Sequence, residues 1–134
     1  MENNLKKILL TLLVLLSSAF ATVTNEYTSQ KLLDANIPVV DIRTPGEWRE
    51  TGLLKGAIPI MFFDGRGNYD LDAFLKALRA KVDTTMPFAL ICHSGNRTTT
   101  LSAYLSKEYG YKIINLKGGM NYVKGARLPI TPYK

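Results

Sequence analysis

Phe88-Ala89-Leu90-Ile91-Cys92-His93-Ser94-Gly95-Asn96-Arg97-Thr98 is the stretch around which the rest of the chain arranges itself. Its first four residues include no polar member, which suits a strand buried on both faces of a parallel sheet. The sequence then turns polar at once, and beyond the turn Leu101, Tyr104 and Leu105 recur at helical spacing. The reading is strand, tight loop, helix start. Backbone N–H groups at a helix N-terminus have no partner of their own and sit at the positive end of the helix dipole. A thiolate placed there meets several donors, and the setting favours the nucleophilic form of cysteine. Cys92 is the only cysteine of the chain. Free cysteine usually fills space in a core, but this one stands where the strand stops and is followed only by loop formers and polar groups. It therefore reads as a loop residue, a candidate nucleophile. Gly95 can take a positive φ and lets backbone approach closely. Arg97 adds a permanent charge and a planar fork of donors suited to an oxyanion.

Moving upstream, Ile37-Pro38-Val39-Val40-Asp41-Ile42 reads as a strand entered through Pro38, with Thr28 to Ala35 as a short helix before it. Thr44 as N-cap, Pro45 at the first helical position and Glu47 three residues after Thr44 form a capping box. Asp41 and Arg43 are then charges at a strand end, and Trp48 reads as core. Residues 62–69 form a glycine-containing loop with Asp64 and Arg66, and Arg66 reads as solvated more readily than as a substrate contact. Leu71, Phe74, Leu75 and Leu78 follow the i, i+3, i+4, i+7 pattern of an amphipathic helix over residues 70–81. Downstream, the helix from Arg97 is expected to stop near Gly110, with a further strand over residues 112–116. Strands alternating with helices predict an α/β fold, a single domain with a mainly parallel sheet and helices on both faces. Ligands of such sheets bind beyond the carboxyl ends of the strands, where Cys92 lies.

The segment Cys92-His93-Ser94-Gly95-Asn96-Arg97 has the form C-x-x-G-x-R ahead of a helix, and it resembles the loop of single-domain rhodanese-like sulfurtransferases. The resemblance extends to residues 39–48, to Tyr109-Gly110-Tyr111 and to Leu116-Lys117-Gly118-Gly119, covering nearly everything after residue 25. Departures are local: Leu53 and Lys55 stand where the family often has His and Pro, and Val123 stands where Trp is common. The resemblance implies sulfane-sulfur transfer from thiosulfate or a related small anionic donor to a thiol or cyanide acceptor, through a persulfide on Cys92. It also implies a substrate-binding loop of His93, Ser94, Gly95, Asn96 and Arg97, in which Arg97 and loop N–H groups hold the donor's oxygens. His93, the sole histidine, is expected to be loop wall more than proton carrier, and Asp41 and Arg43 to support the fold. No cofactor and no metal are implied. A persulfide carrier or protein-binding module with little turnover stays open. A cysteine phosphatase is disfavoured, because the related phosphatases have five residues between Cys and Arg and this loop has four.

The N-terminus is a separate unit. Lys6 and Lys7 precede an apolar run over residues 8–16 broken only by Thr11, and Ala19-Phe20-Ala21 supplies small residues for cleavage. That plan predicts a signal peptide over residues 1–21 and a domain over residues 22–134, periplasmic or secreted after cleavage. The apolar run is shorter than the ~18 residues expected of a spanning helix, so membrane contact is expected only if the signal is uncleaved. A lipoprotein is excluded, since lipid attachment needs a cysteine just after the signal and the only cysteine is Cys92. The chain's formal net charge of +6 favours anions. Its basic residues are scattered without a recognition motif, and nucleic acid is not an expected partner.

Overall fold

The computed structural model describes residues 21–134, so the expected signal peptide lies outside the described residues except for Ala21. The elements run β1 (Val23–Tyr27), α1 (Gln30–Asp34), β2 (Val39–Asp41), α2 (Pro45–Thr51), β3 (Leu53–Leu54), β4 (Ile58–Pro59), α3 (Leu71–Lys81), β5 (Phe88–Ile91), α4 (Asn96–Tyr109), β6 (Ile113–Lys117), α5 (Gly119–Gly125) and β7 (Ile130–Thr131). Five strands form one sheet in the order β1-β6-β5-β2-β4, and every pairing in it is parallel. β3 and β7 make a separate antiparallel pair.

β5 lies at the centre of the sheet, and all four of its residues are buried. Because strand side chains alternate between faces, Phe88 and Leu90 enter one core cluster while Ala89 and Ile91 enter another. The first cluster takes Phe74, Leu75 and Leu78 from α3 and Leu101 and Leu105 from α4. The second takes Leu32 from α1 and Met120 and Val123 from α5. Helices thus cover both faces, as the alternating pattern predicts. Each apolar side chain buried in this way contributes about 1.5–3 kcal/mol. Leu78, fully buried, anchors α3, and Leu78→Ala removes about 2–5 kcal/mol. Leu71, the first member of that helical stripe, is only half-buried.

Helix ends follow the local chemistry. The Thr44 hydroxyl accepts the Glu47 N–H at 3.3 Å while the Glu47 carboxylate accepts the Thr44 N–H at 3.0 Å, completing the capping box of α2. Asp70 caps α3 through the Ala73 N–H, and Gly110 ends α4 in the left-handed conformation. Two features go beyond what the sequence signals. β1 is an additional strand, unread in the sequence because it is a polar edge strand with four of its five residues exposed. Tyr104, at helical spacing with Leu101 and Leu105, is 42% exposed and lies off the buried face.

Candidate active site

The cysteine loop leaves β5 at its carboxyl end, and the alternation of the strand carries one residue past its last hydrogen-bonded member. Cys92 therefore points the same way as Phe88 and Leu90, into the cluster that holds Phe62 and Leu101, and is 1% exposed. This corrects the reading of Cys92 as set apart from the core: the backbone is loop, but the thiol is buried. It also corrects the expected crowd of donors. The sulfur accepts one backbone N–H, from Gly95 at 3.1 Å, and lies 3.6 Å from the hydroxyl of Thr98. Thr98 is itself fully buried, and its Oγ1 donates to the Gly95 carbonyl at 3.2 Å. No motif singled out Thr98. Its position one residue after Arg97, on the first turn of α4, is the one signal that could have done so.

Gly95 holds φ +96°, and a Cβ there would lie 3.1 Å from the backbone nitrogen of Gly118. The positive φ favours glycine, and the close approach leaves little room for a Cβ. The opposite wall of the loop comes from the start of α5, where the N–H groups of Met120 and Asn121 donate to the carbonyls of Cys92 and His93 at 2.9 and 3.1 Å. So close an approach leaves no room for a side chain at Gly119, whose Cβ would sit 2.7 Å from the His93 carbonyl carbon. The Gly118-Gly119 pair is thus part of the loop's support although it lies far along the chain. Val123 is fully buried on α5, whereas Tyr122 turns outward and packs its ring against Tyr27, with centroids 4.6 Å apart.

Arg97 does not point freely at the loop. Its two terminal nitrogens donate to Glu47, at 2.9 Å to Oε2 and 2.6 Å to Oε1, in a bidentate pair. The hydrogen bond from Arg97 is the largest influence on Glu47 and, with the capping bonds from Thr44, outweighs burial and holds its pKa at about 2 against an ordinary 4.5. The same bond raises the pKa of Arg97. Glu47 therefore both caps α2 and fixes the arginine of the cysteine loop, a second role that capping alone did not reveal. Arg97 borders a cavity of about 520 Å³ that mixes cations with carboxylates, for Glu47, Glu50, His93, Ser94, Asn96 and Lys124 also line it. Ser94 and Asn96 form a partition, for with Gly95 they also wall a smaller cavity of about 230 Å³ against Asn25, Asn115 and Lys117. Of the five proposed substrate-binding residues, His93, Ser94, Asn96 and Arg97 line the larger cavity, with His93 exposed on it, whereas Gly95 is buried and lines only the smaller one. Arg66 sits apart in an exposed turn held by Asp64, and borders neither cavity.

Asp41 and Arg43 are fully buried beside the site as an ion pair at 2.8 Å. Arg43 also donates to Thr51 Oγ1 and to the Gly52 carbonyl, and the indole N–H of Trp48 donates to Asp41. With each charge so paired, desolvation is offset and the end of β2 is tied to the middle and the C-terminal end of α2. The two residues support the fold, as their position at a strand end suggests.

Parallel strands covered on both faces, with one cysteine in the loop between a central strand and a helix N-terminus, define a class of single-domain α/β proteins built to present that loop. The chain belongs to the rhodanese-like domain family, whose pattern matches residues 24–126. It is 31% identical over 84 residues to the uncharacterized protein RP600 of Rickettsia prowazekii, a match that spans 60% of this chain and 66% of that protein. Among solved structures, a rhodanese-like domain protein from Staphylococcus aureus is similar at TM-score 0.56 and 20% identity, over 82% of this chain and 98% of that one. A thiosulfate sulfurtransferase from Pseudomonas aeruginosa is similar in fold at TM-score 0.63 and 17% identity, over 84% of this chain and 21% of that one.

Proposed function

We propose that the domain transfers sulfane sulfur through Cys92. The observation that carries this reading is the sulfur's position at the carboxyl end of β5, where it accepts the Gly95 N–H at 3.1 Å within a loop whose His93, Ser94, Asn96 and Arg97 border a cavity shared with Glu47, Glu50 and Lys124. The Cys92 thiolate attacks the outer sulfur of thiosulfate, a sulfur–sulfur bond forms, and sulfite departs with the electron pair of the bond that breaks. An acceptor, cyanide or a thiolate, then attacks the outer sulfur of the persulfide, and Cys92 leaves as thiolate. No net oxidation occurs, and two easy displacements replace one difficult transfer. The Thr98 hydroxyl suits both states of the sulfur. Its single proton rests on the Gly95 carbonyl when the thiol is protonated, and can turn to the sulfur when the thiol ionises. The Arg97 N–H groups not used by Glu47, together with Lys124, attract the anionic donor.

Burial of the thiol adds a condition. At 1% exposure of Cys92, a donor reaches the sulfur only after a local opening around it. The same burial favours a second reading, in which the domain is a persulfide carrier whose protein partner opens the loop and which turns over thiosulfate poorly. Mass spectrometry of the purified protein before and after thiosulfate tests the first step, and thiocyanate formation in the presence of cyanide tests the second. Gain of one sulfur atom on Cys92 with thiocyanate release supports the enzyme. Gain without release supports the carrier, and no gain removes both. Faster phosphate release from an aryl phosphate than thiocyanate formation would instead favour a phosphatase. Lys6 and Lys7, the apolar run over residues 8–16 and Ala19-Phe20-Ala21 support export to the periplasm or medium by way of a cleaved signal.

A further inference from the structure

Asn115, on β6, is 3% exposed, yet its Oδ1 has no hydrogen-bond partner among the described residues. An unpartnered buried carbonyl is unfavourable and calls for a reason. The reason lies at the other end of the amide, where Nδ2 donates to Asn25 Oδ1 at 2.9 Å and to Thr99 Oγ1 at 3.1 Å. Thr99 settles the orientation. Its hydroxyl has one proton, and that proton goes to the Gly95 carbonyl at 2.7 Å. The Thr99 oxygen is thus left to accept, and only the amino end of Asn115 can face it.

The chain of bonds ends at the sulfur. The Gly95 carbonyl is gripped by the Thr99 N–H at 3.1 Å and by the hydroxyls of Thr99 and Thr98, while the Gly95 N–H donates to Cys92. Gly95 sits at φ +96°, and glycine has no side chain to restrict its rotation. Its conformation therefore depends on the bonds that hold its two peptide groups. We propose that Asn115 is a positioning residue for the cysteine loop: from β6 it fixes the Thr99 hydroxyl on the Gly95 carbonyl and thereby keeps the Gly95 N–H on the Cys92 sulfur. The functional meaning of this placement rests on Cys92 being the reacting thiol, but the placement itself does not.

The test compares the parent with Asn115→Leu, Thr99→Val, Thr99→Ser and the Asn115→Leu/Thr99→Val double variant, by amide hydrogen exchange at Gly95 and by the rate of Cys92 alkylation with iodoacetamide at pH 7. Asn115→Leu keeps the side chain's approximate size without its N–H groups, and Thr99→Val removes only the hydroxyl's bonding. Each should speed Gly95 exchange roughly threefold to tenfold, the worth of one hydrogen bond, and change the alkylation rate, while the amide of Leu78 in α3 exchanges as in the parent. Thr99→Ser, which retains the hydroxyl, should behave as the parent, and the double variant should go no further than its larger single because both act on one path. Gly95 exchange unchanged in Asn115→Leu, or equal loosening at Gly95 and Leu78, would overturn the proposal. Should Asn115→Leu not fold, the Thr99 pair decides: Val and Ser behaving alike refutes it. Expected exchange together with no persulfide under thiosulfate leaves the positioning role standing and removes sulfur transfer instead.

Discussion

Replacing Glu47 by Gln isolates the ion pair with Arg97 from the helix cap. Glutamine preserves the capping box of α2, since it too can accept the Thr44 N–H, but it removes the charge that faces the guanidinium. The folded-state pKa of Glu47 lies at about 2 against an ordinary 4.5. Taken whole, that depression corresponds to ~3 kcal/mol. Both partners keep about a quarter of their side-chain surface in water, 28% for Arg97 and 27% for Glu47, so solvent screening reduces the expected loss to ~1–2 kcal/mol. The sign follows from linkage. A carboxyl whose pKa is lower when folded stabilises the fold above its unfolded pKa, and that contribution fades as the pH falls through the folded value. Urea unfolding at neutral pH should show Glu47→Gln less stable by ~1–2 kcal/mol with an unchanged dependence on urea. The gap should close as the pH is lowered from about 4.5 towards about 2, because the parent then protonates Glu47 itself. Equal stabilities at neutral pH, or a gap that persists undiminished to the acid limit, would refute the view that the charged pair ties α2 to the cysteine loop.

Cys92→Ser should abolish persulfide formation, because a hydroxyl has no comparable nucleophilicity; serine carrying one sulfur atom and passing it to cyanide, as seen by mass spectrometry, would refute the assignment. Arg97→Lys keeps the charge but loses the fork that grips Glu47, so thiosulfate turnover should fall while slow persulfide formation survives at high donor concentration in a single-turnover assay. Gly119→Ala should destabilise the loop and lower transfer, since its Cβ would press on the His93 carbonyl at φ +52°; unaltered melting and activity would show that α5 is free to retreat. N-terminal sequencing of the exported protein should begin at Thr22, and Met1 retained on a membrane-bound form would contradict cleavage.

The features legible in the sequence are those decided by neighbours along the chain. The unbroken apolar run of residues 88–91 identified the central strand, because only a strand covered on both faces has use for it. Thr44 and Glu47 announced the start of α2 through bonds that span one helical turn. The spacing of Phe74, Leu75 and Leu78 located the buried face of α3 by helical geometry alone. Cys92, Gly95 and Arg97 marked the loop for the same reason, since a strand end, a glycine and a helix start are local events.

Tertiary structure decided what those residues touch. Whether Cys92 faces solvent or core depends on the alternation of β5 within a sheet whose two faces are covered by helices from elsewhere in the chain, and that alternation turned the thiol inward. β1 gave no signal of its own because a polar edge strand is recognisable only by the partner it joins, here β6. The pairing of Arg97 with Glu47 joins side chains 50 positions apart. It exists because β2 and β5 lie side by side in register, bringing the start of α2 to the start of α4. The support of the loop by Gly119 and by Asn115 likewise waits on β6 lying against β5. Spacing along a chain specifies periodicity and caps, whereas contacts between distant segments are set by strand order and register, which no single stretch of sequence contains.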